Sequence, residues 1–308
     1  MDTLAVILEA PERLALRSLT LSPMAAGDVR VEIDWSGISS GTEKLLWAGR
    51  MPSFPGMGYP LVPGYESIGR IVDAGAEARG RIGEWVFVPG ANCYDGARGL
   101  FGGTARTVIL PHARAIPISE SLGRDGILLA LAATARHAIA GGGIPELVIG
   151  HGILGRLVAR ITVAMGGAAP TVWETNPDRR EDLHNTAIDP AADERRDYAL
   201  ICDASGAPDV LDIAFARLRK GGEVVLAGFY DRLSFAFPPA FMREARMRIA
   251  AEFTPADVAA VIALLEAGTL DLGGLISHAR PAGEAVEAYP QAFNDPACLK
   301  MVLDWRVI

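Results

Sequence analysis

The chain is poor in the residues that build metal clusters and disulfide frameworks, with three cysteines and five histidines among 308 residues. Cys93, Cys202 and Cys298 are widely spaced and odd in number, and none forms a Cys-x-x-Cys pair. That excludes a disulfide scaffold and a cysteine-cluster zinc site, and it suits a reducing compartment. The histidines at 112, 137, 151, 184 and 278 show no close ligand spacing. Positive charge is also scarce: 29 Lys and Arg face 37 Asp and Glu, a net charge of −8. A broad nucleic-acid or anionic-membrane surface is therefore excluded, leaving local basic patches such as Arg243, Arg246 and Arg248. No apolar run approaches the length of a transmembrane helix, and Met1-Asp2-Thr3-Leu4 lacks a basic leader, so a cytoplasmic protein is expected.

Half of the residues are hydrophobic, enough for a large core and two domains, while 34 glycines and 20 prolines spread along the chain imply many turns between short elements. Residues 4–8, 29–35, 67–72 and 85–88 are short β-prone runs divided by glycine and proline, which suggests a barrel-like module. From about Ile127 the pattern changes to alanine- and leucine-rich helical stretches alternating with apolar strands at 147–149, 171–173, 198–202 and 223–227. Alternating strands and helices predict an α/β fold with a doubly wound parallel sheet. After Gly273 come Leu275-Ile276, a helix around 282–292 and a last β-prone run at 301–303 that could rejoin the amino-terminal module. The expected division is 1–120 with 273–308 for the β-rich domain, and 121–272 for the parallel-sheet domain.

The sharpest motif is Gly150-x-Gly152-x-x-Gly155, placed directly after the apolar run Leu147-Val148-Ile149 and before a helix-like stretch at 156–165. Glu174 closes the next strand, nineteen positions past Gly155, where a dinucleotide fold needs an acid for an adenosine ribose. Gly150 permits the sharp turn, Gly152 lets the backbone approach a pyrophosphate, and Gly155 lets the helix pack on the strand, with the helix amino terminus facing the phosphates. His151, Ile153 and Leu154 complete the turn, with His151 expected to contact cofactor phosphate or solvent rather than substrate. Glu174 favours NAD over NADP because a carboxylate repels a ribose phosphate, although Arg179 and Arg180 keep NADP open. Cys202-Asp203-Ala204-Ser205-Gly206 and Leu226-Ala227-Gly228-Phe229-Tyr230 each follow a strand. Ser205, Gly228 and Phe229 then become walls for a nicotinamide, or belong to ordinary strand-to-helix turns.

Over nearly its full length the chain resembles the medium-chain dehydrogenase/reductase superfamily, in which a GroES-like catalytic domain precedes a Rossmann domain. The resemblance is carried by Trp35-Ser36-Gly37-Ile38-Ser39, Pro63-Gly64-Tyr65-Glu66-Ser67-Ile68-Gly69, Ile82-Gly83-Glu84-Trp85-Val86-Phe87-Val88-Pro89 and the glycine triplet. In zinc members the first two segments supply a cysteine and a histidine ligand, and here those positions look like Ser39 and Tyr65. Neutral hydroxyls are poor zinc ligands beside thiolate and imidazole, so no catalytic metal is expected. The superfamily also implies a homodimer joined along the edge of the Rossmann sheet, to which 235–241 could belong, and it places Thr134 near the nicotinamide.

Longer strings narrow the likeness: Ser36-Gly37-Ile38-Ser39-Ser40-Gly41-Thr42-Glu43, Leu46-Trp47-Ala48-Gly49-Arg50-Met51-Pro52, Phe54-Pro55-Gly56-Met57-Gly58-Tyr59-Pro60 and Asp295-Pro296-Ala297-Cys298-Leu299-Lys300-Met301. These are similar to the family of bacteriochlorophyllide dehydrogenases. That resemblance implies oxidation of the 3-(1-hydroxyethyl) group of a bacteriochlorophyllide to 3-acetyl in bacteriochlorophyll biosynthesis, with NAD⁺ taking the hydride. Trp47, Met51, Phe54, Met57 and Tyr59 would then line a broad apolar pocket for the macrocycle, or else cap the barrel.

Without zinc, the alcohol must be polarised by hydrogen bonds and its proton passed on by side chains. Tyr65, Ser39, Thr42 and Glu66 are the candidates. Tyr65 either transfers a proton or packs against substrate, Ser39 and Thr42 relay or bond the backbone locally, and Glu66 holds Tyr65 or forms an ion pair bracing the two domains. His137 is the histidine to test as an alternative base, its other role being structural. Two rival readings remain at this level: a zinc-free NADPH-dependent enone or quinone reductase, and a pigment-binding protein without catalysis.

Overall fold

The computed structural model describes residues 1–99, 101–230 and 232–308. The chain divides into two compact units, Met1–Leu129 with Leu275–Ile308, and Ala130–Gly274. The first is β-rich. Asp2–Ala10 and Arg13–Thr20 form an antiparallel pair, and a seven-stranded sheet runs in the order His278–Pro281, Met301–Asp304, Asp28–Ile38, Ser67–Ala74, Trp85–Val88, Ile116–Pro117, with Thr107–Pro111 paired to Asp28–Ile38. Alternation sets the faces: Val29, Val31 and Ile33 turn inward with Ile71, Val86, Val88 and Val108 to make the core. The terminal strand Met301–Asp304 lies antiparallel to Asp28–Ile38, and next to it Trp305 donates its indole N–H to Ser36 Oγ at 2.8 Å. The residues before it differ from a simple continuation of strands, since Leu275 and Ile276 are not in a strand and the pairing starts at His278.

The second unit holds a five-stranded parallel sheet in the order Thr171–Trp173, Leu147–Ile149, Tyr198–Asp203, Leu218–Leu226, Arg246–Ile249. Leu147, Val148 and Ile149 are all buried, as expected of a strand covered on both faces. The first strand lies between the second and third, so the order reverses at its carboxyl end, where Gly150 stands. Open α/β sheets bind ligands at such a reversal. The helix after it spans Ile153–Ala164, directly behind its cap Gly152, and so starts three residues earlier than the sequence pattern suggests.

Alternation of strand and helix fails once. Between Thr171–Trp173 and Tyr198–Asp203 the described chain makes only the 3-10 turns Pro177–Arg179 and Pro190–Ala192, with Ile188 bridging Trp173. Polar clamps hold this stretch in place of a helix. Asp182 takes Arg156 and Arg160, each at 2.9 Å, from the buried side of Ile153–Ala164. Asp193 accepts from Trp173 Nε1 at 2.8 Å and Tyr198 OH at 2.7 Å.

Candidate active site

In the parallel-sheet unit the glycine turn is shaped as a phosphate cradle. Gly150 has φ +95, a left-handed conformation that favours glycine. A Cβ on Gly155 would lie 1.9 Å from the Gly150 carbonyl oxygen, so only hydrogen lets helix and strand approach this closely. A Cβ on Gly152 would meet nothing within 4 Å, and this residue caps Ile153–Ala164 without any side-chain hydrogen bond. The first N–H groups of the helix, those of Ile153, Leu154 and Gly155, are therefore available to an anion. Glu174 sits beside the turn, its carboxylate accepting from the His151 N–H at 3.2 Å and the Asn176 N–H at 2.8 Å.

Several predicted residues of this unit are held by protein partners. His151 has its ring buried against the Arg179 carbonyl, 2.7 Å from Nδ1, and Asn185 Oδ1, 3.0 Å from Nε2, so the turn presents its backbone and not its imidazole. The expected contact of that ring with phosphate or solvent is thereby corrected. Thr134 Oγ1 donates to the Ala130 carbonyl within the helix Leu129–Ala140 at 2.9 Å. His137 Nδ1 lies 2.9 Å from Asp257, the residue that closes a capping box with Thr254 at the start of Pro255–Glu266. Burial pushes the Asp257 carboxyl up, but hydrogen bonds from Thr254, Arg136 and His137 outweigh it and hold the group well below the ordinary range. That ties His137 to a helix start.

At the carboxyl edge of the sheet, Ser205 Oγ donates to Asp203 at 2.6 Å, and Tyr230 OH is bonded to the same carboxylate. Gly228 is close-packed, since a Cβ there would lie 2.7 Å from Tyr230 OH, whereas Phe229 is exposed.

In the β-rich unit three hydroxyls meet. Ser39 Oγ and Tyr65 OH are 2.7 Å apart, and Tyr65 OH donates to Thr42 Oγ1 at 3.4 Å. Ser39 follows Asp28–Ile38, Thr42 opens the short helix Thr42–Trp47, and Tyr65 precedes Ser67–Ala74, with its ring 5.1 Å from that of Phe101. Burial pushes the Tyr65 phenol well above its usual range; the Glu66 charge adds to this, against hydrogen bonds from Ser39 and Thr42. Tyr65 is thus held as a neutral hydroxyl within this cluster.

Glu66 does form an ion pair, and its partner lies in the same unit: Lys300, just before Met301–Asp304. Both side chains are fully or almost fully buried. Sequence reading missed Lys300, and it missed Glu43, which is 0% exposed in the first turn of Thr42–Trp47. Burial and then the nearby Glu66 charge push the Glu43 carboxyl up to about 8.

Trp47, Met51, Met57 and Tyr59 pack, partly buried, with Phe101 and Leu14 on the small cluster of Leu8, Leu46 and Leu61. Trp47 ends the helix Thr42–Trp47 and lies obliquely against Phe293, ring centroids 5.8 Å apart. Tyr59 OH bonds the Leu46 carbonyl, and Phe54 is exposed. These side chains cap one side of the β-rich core while leaving part of their surface open.

A β-rich unit bearing this hydroxyl cluster, followed by a parallel-sheet unit with a phosphate-cradling glycine turn, defines the class of medium-chain dehydrogenases/reductases. Comparison with known proteins agrees: residues 25–120 match the alcohol dehydrogenase GroES-like domain. The chain is 55% identical over 311 residues, 99% of each chain, to the 2-desacetyl-2-hydroxyethyl bacteriochlorophyllide A dehydrogenase of Rhodobacter capsulatus. It is also 55% identical over 315 residues, again 99% of each, to the protein of the same name from Cereibacter sphaeroides. The fold is that of an Escherichia coli short-chain alcohol dehydrogenase solved with NADH, with a TM-score of 0.85 and 20% identity over 99% of both chains. The chain belongs to the family of bacteriochlorophyllide a dehydrogenases within the medium-chain dehydrogenase/reductase superfamily.

Proposed function

We propose that this protein oxidises the 3-(1-hydroxyethyl) group of a bacteriochlorophyllide to 3-acetyl, using NAD⁺ and no catalytic zinc. The observation that carries the reading is the full-length 55% identity to two dehydrogenases named for a hydroxyethyl bacteriochlorophyllide. The nicotinamide ring, when bound, accepts the hydride. The glycine turn and the open start of Ile153–Ala164 suit its pyrophosphate, and Glu174 suits an unphosphorylated ribose. The Ser39, Tyr65 and Thr42 hydroxyls would bind the carbinol oxygen and carry its proton. Trp47, Met51, Phe54, Met57 and Tyr59 would contact the macrocycle through their open faces.

The residues present do not suit zinc. Two hydroxyls stand where zinc members of the class carry thiolate and imidazole, and the Glu66 carboxylate is already neutralised by the Lys300 ammonium.

The test is an anaerobic absorbance assay with 3-(1-hydroxyethyl)bacteriochlorophyllide a, comparing NAD⁺ with NADP⁺, with and without a chelator. A red shift of the long-wavelength pigment band with stoichiometric NADH, unaffected by the chelator, is expected. Pigment binding without turnover would replace the reading with a carrier. Clear preference for the phosphorylated cofactor, or loss of activity on chelation, would overturn the cofactor or the metal-free part.

A further inference from the structure

Beneath the three hydroxyls lies a group of polar atoms that the protein itself leaves unanswered. Glu43 Oε1 and Oε2, Glu66 Oε1, Thr104 Oγ1 and Tyr289 OH are all buried and, among the described residues, lack a close hydrogen-bond partner, the Tyr289 hydroxyl reaching Glu43 and Thr104 only loosely. They come from four parts of the β-rich unit: the helix Thr42–Trp47, the turn before Ser67–Ala74, the loop before Thr107–Pro111, and the helix Ala285–Asn294. They are mutual neighbours. Tyr289 interacts with Glu43, Thr104 and Glu66, and Tyr65 feels both carboxylates. Buried polar atoms left unpaired are costly, and an ordered water typically answers about three of them at once. The Glu43 side chain is also the carboxylate next in sequence to Thr42, and its backbone N–H is fixed to the Ser39 carbonyl at 3.1 Å.

We propose that Glu43, with Tyr289, Thr104 and the free oxygen of Glu66, forms a water-bridged proton store behind the Ser39–Tyr65–Thr42 hydroxyls, and that the Glu43 carboxylate receives the proton lost by the carbinol hydroxyl. The inference rests on the dehydrogenase reading above. In the step, the carbinol O–H bond breaks as its proton moves to a hydroxyl of the trio, whose own proton passes through water to Glu43. The carbinol C–H pair leaves as hydride to the nicotinamide and the C=O bond forms. Glu43 ends the turnover as a carboxylic acid and returns its proton to solvent before the next. It acts through the hydroxyls and touches no substrate atom.

The charged and titratable groups facing Glu43 set its behaviour. The Glu66 charge opposes its ionisation; the Lys300 ammonium and the Tyr289 phenol favour it. Burial pushes the Tyr289 phenol well above its ordinary range, so it keeps its proton, and the group that changes state near pH 8 is Glu43. Oxidation needs the carboxylate form, so kcat should rise with pH and level off above about 8.

The experiment measures kcat and KM for pigment oxidation between pH 6 and 10 in wild type, Glu43→Gln and Tyr289→Phe, alongside infrared titration of the carboxylic-acid C=O band in the same proteins without substrate. Loss of the pH limb in Glu43→Gln, with kcat down by roughly 10²-fold and KM little changed, is the expected result. Tyr289→Phe, a change of one buried hydroxyl, should move both the kinetic and the infrared midpoints upward. A limb surviving in Glu43→Gln at the wild-type midpoint, or an infrared midpoint indifferent to Tyr289→Phe, overturns the inference while leaving the dehydrogenase reading intact. Absence of wild-type turnover overturns both, and the infrared titration then still reports whether Glu43 holds the proton.

Discussion

Lys300 and Glu66 are 234 residues apart and bury opposite charges against each other beside Gly37, whose missing side chain leaves the space: a Cβ there would lie 2.4 Å from Glu66 Oε2 and 3.0 Å from Lys300 Cε. Removing only the ammonium leaves a carboxylate shut away from water. Lys300→Met should therefore cost about 3–5 kcal/mol of folding stability, and adding Glu66→Gln should recover most of it. Urea unfolding of the two variants checks this, and a Lys300→Met protein with the wild-type midpoint would show that the pair does not hold the unit together. Such a pair could not be read from the chain. Glu66 was visible through its motif, but Lys300 reads only as a polar residue before a β-prone run, and Glu43 only as a charged residue after Thr42. What made Ser39, Tyr65 and Thr42 legible was a departure from the cysteine and histidine of zinc-bearing relatives; a buried charge leaves no comparable local mark, because it depends on which distant element covers it.

Among the elements, strand, turn and helix around Gly150 were nearly complete in the sequence, since Gly150 and Gly155 answer local steric demands. The geometry separates two of them by consequence. Gly152 has φ −71 and open space around its Cβ position, so Gly152→Ala should keep the wild-type thermal midpoint. It would set a methyl group where the pyrophosphate approaches and weaken NADH binding at least tenfold, as followed by nucleotide fluorescence. Gly155→Ala collides with the Gly150 carbonyl and should lower the thermal midpoint as well. Equal stability of the two variants would remove this distinction between ligand clearance and packing. The stretch between Thr171–Trp173 and Tyr198–Asp203 was not legible in the same way. Its order comes from Asp182, Asp189 and Asp193 binding Arg156, Arg160, Arg180 and Arg217, contacts that carry no periodicity and so no helix or strand signal.

At the scale of the molecule, the sheet of the second unit ends in an edge that no other described strand pairs with. Arg246–Ile249 is the outermost strand, with Met247 and Ile249 exposed, and the helix Phe237–Arg243 beside it exposes Phe237 at 66%, Phe241 at 65% and Met242 at 71%. Phe237, Phe241, Met242 and Met247, together with Phe215 and Phe235, line a hollow of about 450 Å³ whose wall also carries Lys220 and Glu244. An open parallel strand next to an apolar, aromatic surface is a template for pairing, and soluble proteins cover or charge such edges. Arg246 and Arg248 add charge to the strand, but Arg248 is turned to Glu223, and the Lys220 and Glu244 side chains at the hollow pair with each other at 2.9 Å. The homodimer implied by the resemblance to medium-chain dehydrogenases would cover this edge, a second copy pairing strand against strand about a two-fold axis so that each chain closes the other's sheet. Light scattering should then give twice the 32.6 kDa of one chain, and Phe241→Glu, which puts a charge at the centre of the patch without touching the glycine turn or the hydroxyl cluster, should give a monomer that still binds NADH. A monomeric wild type, or a Phe241→Glu protein that stays dimeric, would mean that the edge is covered by something other than this chain.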